Sequence, residues 1–143
     1  MKMEMKKRDV AEAIIYNERK EVLMQKKTID YPIYPGGVWC FFGGEVEDNE
    51  NPLETVKREI KEEIGIEADD EDIELVYERD YKIDTRFEGK QYGFKVRFRG
   101  KLSDIRLNEG AGFAFFDKSE FNKINILNME KNSLDAFWKS FEG

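Results

Sequence analysis

Hydrophobic and polar positions alternate in short blocks along the chain. Val10 to Tyr16 carries Ala11, Ala13, Ile14, Ile15 and Tyr16, and Val22 to Met24 is a second apolar run beyond the polar Asn17 to Lys20, which predicts two strands joined by a turn. Thr28 to Gly37, with Pro32, Pro35, Gly36 and Gly37, reads as a loop, and the apolar run Val38 to Phe42 as a short buried strand. Pro52 to Ile64 predicts a helix: Asn51 can cap it, Pro52 suits the first position, Glu54 completes a capping box and Gly65 can end it. Ile73 to Tyr81 and Lys82 to Phe87 look extended. Glu88, Gly89 and Lys90 are expected to turn the chain into Tyr92 to Leu102, where Phe94, Val96 and Phe98 alternate with Lys95, Arg97 and Arg99, giving a long antiparallel hairpin. Gly112 to Phe116 is a further strand, Asp117 to Glu120 a capped turn, and Ser133 to Phe141 a closing helix whose Leu134, Phe137, Trp138 and Phe141 form a core stripe. A mixed sheet flanked by helices follows, an α/β or α+β sandwich in one domain over residues 1–143.

Composition narrows the chemistry. Lys plus Arg number 24 and Asp plus Glu 31, a formal charge of −7, which is not built to coat a nucleic-acid backbone, so stable nucleic-acid binding is not expected. There is no histidine, so imidazole is excluded as base or metal ligand. The single cysteine, Cys40, excludes an intrachain disulfide and thiolate clusters, and its apolar neighbours predict a buried structural thiol. Met1 to Arg8 is charged, and no apolar run approaches the ~20 residues that span a bilayer, so no membrane association and a cytoplasmic location are expected.

The helix itself is asymmetric. On a wheel of about 100° per residue, Leu53, Val56, Ile60 and Ile64 form one stripe, Glu59, Glu62 and Glu63 lie together at one side, and Lys57, Lys61, Glu54 and Arg58 at the other. Like charges at three- and four-residue spacing each cost a few tenths of a kcal/mol, and burial beside the stripe raises that cost. A divalent ion with hard oxygen ligands, Mg²⁺ with Mn²⁺ as substitute, would resolve the repulsion; a solvated Glu-rich helix is the alternative, and the helix alone leaves both open. Gly43 and Gly44, before the acidic stretch Glu45 to Glu50, let the backbone turn tightly or approach an ion or phosphate.

Gly44, five residues, Glu50, seven residues, Arg58, Glu59, Ile60, any residue, Glu62, Glu63, any residue, Gly65, Ile66 form a complete Nudix box. A chance match is on the order of one in 10⁵ or rarer. The chain resembles a Nudix hydrolase over nearly its whole length. The resemblance implies a Nudix-fold α/β/α sandwich with a mixed β-sheet, and water attack on a diphosphate bond of a small nucleotide substrate, with nucleoside triphosphates, unmodified or oxidised, in view. It implies Glu59, Glu62 and Glu63 as metal carboxylates, Gly43 as a backbone-carbonyl ligand, and Arg58 pairing with the box's first glutamate, Glu50, and orienting the carboxylates. Glu50 and Gly44 support that set from behind. Glu59 and the loop residue Glu109 are both candidates for the general base, and a homodimer is common in the family.

Subgroup markers are mixed. The proline that usually follows an ADP-ribose enzyme's box by about sixteen residues is absent from Tyr81 to Asp84, whereas Tyr81 lies close to the tyrosine of diadenosine-polyphosphate hydrolases, so that subgroup stays open. Phe42 replaces the usual proline before the paired glycines. Trp39, Phe41, Tyr92 and Phe94 are read as core, leaving the base-binding residues unassigned. A nucleotide-binding regulatory module that does not hydrolyse, and a metal-dependent nuclease or RNA-decapping enzyme, are the rival readings.

Overall fold

In the computed structural model, which describes residues 6–27, 37–82, 87–108 and 112–142, β1 (Lys6–Lys7) and β2 (Val10–Tyr16) run parallel to β7 (Phe87–Arg97). On its other edge β7 pairs antiparallel with β6 (Ile73–Lys82). β2 meets β3 (Val22–Lys26) only at Ile15–Leu23 and Tyr16–Val22, beside a turn held by Asn17, whose Oδ1 accepts from the Arg19 and Glu21 amides at 3.0 Å each. Beyond that the two strands diverge, and the chain from 39 to 45 fills the gap. β4 (Trp39–Cys40) pairs with β3 and β5 (Phe42–Glu45) with β2, while Phe41 stands between them outside both ladders. β8 (Gly112–Phe116) closes the far edge on β3.

Side-chain alternation along β2 assigns the two faces of this mixed sheet. Ala11, Ala13 and Ile15 meet Val56, Ile60 and Ile64 of α1 (Pro52–Ile64), together with Phe42, Phe94 and Val96. Ile14 faces the other way, toward Met24, Phe41, Phe116, Leu134 and Phe137, the last two on α2 (Asn128–Lys139). The result is an α/β/α sandwich, the arrangement that the Nudix resemblance implies. Trp138 and Phe141 pack against the second core and Trp39 and Tyr92 against their respective cores, in agreement with the stripe and strand readings.

Four expectations are corrected. Glu88, Gly89 and Lys90 do not turn the chain but pair with Lys82, Tyr81 and Asp80 inside the hairpin, while the interior of the expected extended run Lys82 to Phe87 lies outside the described residues. Gly89 answers a different need: a Cβ there would lie 2.7 Å from the carbonyl carbon of Arg8, the residue linking β1 to β2. Gly43 and Gly44 likewise sit within β5, opposite Glu12 and Ala11, instead of following the strand as a turn. β7 ends at Arg97, short of Leu102, which opens a separate 3-10 turn, and α2 begins at Asn128, five residues before Ser133. β1 has no counterpart in the hydrophobic pattern, because both of its residues are exposed lysines. The Thr28 to Pro35 loop lies outside the described residues.

Candidate active site

α1 forms where its local signals place it. The Asn51 side chain accepts from the Glu54 amide at 2.9 Å, the Glu54 carboxylate accepts from the Asn51 amide at 3.0 Å, and Gly65, at φ 71°, closes the helix. With Val56, Ile60 and Ile64 fixed in the core, the acidic side of the helix is turned toward β5. Glu63 is buried and accepts a hydrogen bond from the Gly43 N–H at 3.2 Å. Glu59 lies against Gly44, where an added Cβ would stand 2.6 Å from the Glu59 Cδ and collide with Oε1. Both glycines of β5 thus make room for, or bind, a carboxylate of the helix.

Arg58 organises the remainder. Its Nε and Nη2 bind Glu50 at 3.1 and 2.7 Å, its Nη1 binds Glu59 at 2.9 Å and Glu62 at 3.3 Å, and its Nη2 also donates to the Glu45 carbonyl at 3.1 Å. The acidic side is therefore not wholly without positive charge, as the wheel suggests: Arg58 reaches across from the neighbouring flank. Glu50 is further held by the Thr55 hydroxyl at 2.7 Å and the Glu47 amide at 3.1 Å. Hydrogen bonding from Arg58 pulls the Glu50 carboxyl down to about 2. Arg58 is shifted the opposite way, chiefly by the same bond, so the pair stays ionised.

The structure brings Gly43, Gly44, Glu50, Arg58, Glu59, Glu62 and Glu63 to one place. Glu109 lies outside the described residues. Its neighbour Asn108, which the sequence reading passed over, clamps the end of α1: its side chain donates to the Glu62 carbonyl at 2.6 Å and its amide to the Glu63 carbonyl at 2.9 Å. The donor set of three carboxylates beside a glycine strand, without nitrogen or sulfur ligands, fits a hard divalent cation. Among the described residues, Glu21, Asp117 and Glu120 have ligand atoms within 4.8 Å of one another, but there Asp117 and Glu120 cap each other's turn.

On the other side of β5 a cavity of about 370 Å³ reaches from Gly43 and Gly44 to the first turn of α2. Its rear is a polar network invisible to local pattern. Glu12 accepts from the Tyr77 hydroxyl at 2.7 Å and from the Gln91 amide, and Arg79 binds the Gln91 Oε1 at 2.6 Å and the Ser133 hydroxyl at 2.6 Å. Burial raises the Glu12 carboxyl, and also Cys40, which lines the cavity and whose thiol is pushed up to about 12. The one available sequence signal for this network was a glutamate placed among the apolar residues of β2.

Comparison with known proteins is consistent with this geometry. A family model described as the NUDIX domain matches residues 6–139. An 8-oxo-dGTP diphosphatase of Proteus vulgaris is 37% identical over 66 residues, 46% of this chain and 57% of its own length. An RNA pyrophosphohydrolase of Gluconacetobacter diazotrophicus is 32% identical over 111 residues, 68% of this chain and 66% of its own. The chain thus spans less than two-thirds of the length of either relative. The solved MutT protein of Methanosarcina mazei Go1 shares the fold, with a TM-score of 0.78 at 18% identity, covering 99% of this chain and 100% of that one. With the family match over residues 6–139 and the box assembled between β5 and α1, the chain belongs to the NUDIX domain family.

Proposed function

We propose that the protein is a metal-dependent pyrophosphohydrolase that cleaves the diphosphate linkage of a small nucleotide, with nucleoside triphosphates, unmodified or oxidised, as the leading substrate class. The observation that carries this reading is the placement of Glu59 and Glu63 against the glycine strand, with Arg58 binding Glu59 and Glu62 beside them. Bound Mg²⁺, or Mn²⁺ in its place, supplies a Lewis acid for the phosphate oxygens and an acidified water. Glu59, Glu62 and Glu63 would hold the ion, with the Gly43 carbonyl as the backbone ligand. Arg58, locked by Glu50, fixes where the Glu59 and Glu62 oxygens point, and the Gly43 N–H fixes Glu63. The proton of the attacking water passes to a carboxylate, Glu59 or Glu109. A cytoplasmic setting suits a nucleotide substrate and a lone buried thiol.

The test is a panel of nucleoside triphosphates, oxidised dGTP, dinucleoside polyphosphates, ADP-ribose and nucleotide sugars with Mg²⁺ or Mn²⁺, products identified by chromatography. Turnover abolished by Glu63→Gln supports the reading. Tight nucleotide binding with no turnover under either metal would replace it with a nucleotide-sensing module. A second reading, hydrolysis of a pyrophosphate linkage in RNA, is favoured by the similarity to the RNA pyrophosphohydrolase of Gluconacetobacter diazotrophicus. A 5′-triphosphorylated oligonucleotide added to the panel decides between the two.

A further inference from the structure

We propose that the cavity behind β5 seats the nucleobase of the substrate and that Glu130, together with Gln25, selects bases presenting a ring-nitrogen acceptor beside an exocyclic amino group, the edge of cytosine and adenine. This inference rests on the pyrophosphohydrolase reading and deepens it.

The geometry comes from the break between β4 and β5. Phe41 belongs to neither ladder, so its peptide groups are available to side chains. Its carbonyl accepts from the Gln25 Nε2 at 3.1 Å, and its N–H faces the Glu130 carboxyl. Two side chains from opposite directions, β3 and α2, are thereby pinned to one residue and share the cavity. Gln25 is 1% exposed and Glu130 6%. The Glu130 Oε2 has no hydrogen-bond partner, a costly state for a buried carboxyl oxygen and one that a ligand would relieve.

The cavity is of a size that suits a small ring, and Gly43 and Gly44 put no side chain between it and Glu59 or Glu63. Glu12 and Gln91, which also line it, are already engaged by Tyr77, by Arg79 and by each other. Two further oxygens lie at the cavity: the Glu130 Oε2 and the Gln25 Oε1, the latter accepting at 3.5 Å from the ammonium of Lys27, which also lines it. Burial, with Glu12 facing it from β2, raises the Glu130 carboxyl well above the usual range and outweighs Lys27, which favours the form that donates an O–H. An O–H donor from Glu130 and an acceptor from Gln25 complement a ring nitrogen next to an amino group. Uracil and hypoxanthine reverse both positions, placing donor against donor and acceptor against acceptor.

The experiment measures kcat/KM for CTP against UTP and ATP against ITP, and calorimetric binding of CMP against UMP, in the native protein, Glu130→Met, Glu130→Gln and Gln25→Met. The native protein is expected to favour the amino-bearing member about tenfold or more. Glu130→Met should bring each ratio to within about threefold of parity, while Glu130→Gln, which still donates an N–H, keeps most of the preference. Thermal melting checks the fold of each variant, and Gln25→Met carries the same test should Glu130→Met unfold. Equal use of CTP and UTP by the native protein, or ratios unchanged in the folded methionine variants, would overturn the proposal while leaving hydrolysis intact. No turnover, with CMP still preferred over UMP in binding, would overturn the enzyme reading and leave base selection standing.

Discussion

Replacing Glu50 with glutamine removes one charge from the centre of the Arg58 hub while leaving the side chain's size unchanged. Glu50 accepts four hydrogen bonds, two from Arg58 and one each from Thr55 and the Glu47 amide, and only 12% of its side chain is exposed, against 25% for Arg58. A hydrogen bond to a charged partner contributes about 1.5–3 kcal/mol, and partial solvent access here brings the loss to about 1–2 kcal/mol, or roughly 3–6 °C in melting temperature. The pH dependence is more diagnostic than the size. The folded-state carboxyl lies at about 2, below its ordinary value of 4.5, so the unfolded chain binds the proton more readily. The stabilisation is complete above pH ~5 and disappears as pH falls through about 2. Urea unfolding of both proteins from pH 7 to pH 2 should show a constant gap above pH 5 that closes below it. A gap unchanged down to pH 2 would refute the assignment of Glu50 as the ionised anchor of Arg58. Activity at neutral pH should fall at least tenfold in Glu50→Gln, because the Glu59 and Glu62 oxygens lose their fixed guanidinium.

Gly44→Ala drives a methyl group into the Glu59 carboxylate, the far end of a flexible side chain, so it should cost under about 1 kcal/mol of stability yet lower kcat by about 100-fold; normal turnover would show that Glu59 need not sit where it does. Gly43→Ala meets backbone instead, its Cβ 2.9 Å from the Glu12 Cα at φ 148°, and should destabilise by about 2 kcal/mol or more in the same urea assay. Cys40, buried and with its thiol at about 12, should resist an aromatic disulfide reagent in the native protein at pH 8 and react at once in denaturant; rapid native labelling would contradict its placement.

What could be read in advance was whatever depends on neighbours in sequence. Asn51, Pro52, Glu54 and Gly65 specify α1 within one short stretch, and the Nudix spacing on that stretch names the residues that the fold assembles. Gly89 was misread because a glycine that admits a turn and a glycine that admits a second backbone look alike until β1 is seen beside β7. The first turn of α2 was missed since its N-cap, Leu127, has no capping side chain and its first five residues include Asn128, Glu130, Lys131 and Asn132. Glu130 and the Glu12 network depend on strands and a helix far apart in the chain, so no local period marks them. The resemblance implies that Arg58 pairs with Glu50 and orients the carboxylates, as the bonds to Glu50, Glu59 and Glu62 have it, but its hold on the Glu45 carbonyl emerges only with the loop folded back on the helix.

The end of α1 is finished by peptide groups from much later in the chain. The carbonyls of Glu62, Glu63 and Ile64 are taken by Asn108 and Arg106, the Asn108 side chain reaching a residue 46 positions earlier. During synthesis, the C-terminal turn that carries two of the three clustered glutamates therefore stays open to water until residue 108 has left the ribosome. A nascent chain stalled before that point would already hold its nucleation signals at Asn51 and Pro52, but would present a frayed acidic end with no defined pocket. Protection of the Asn108 amide against hydrogen exchange should consequently report when the site itself is complete, later than protection of the helix centre.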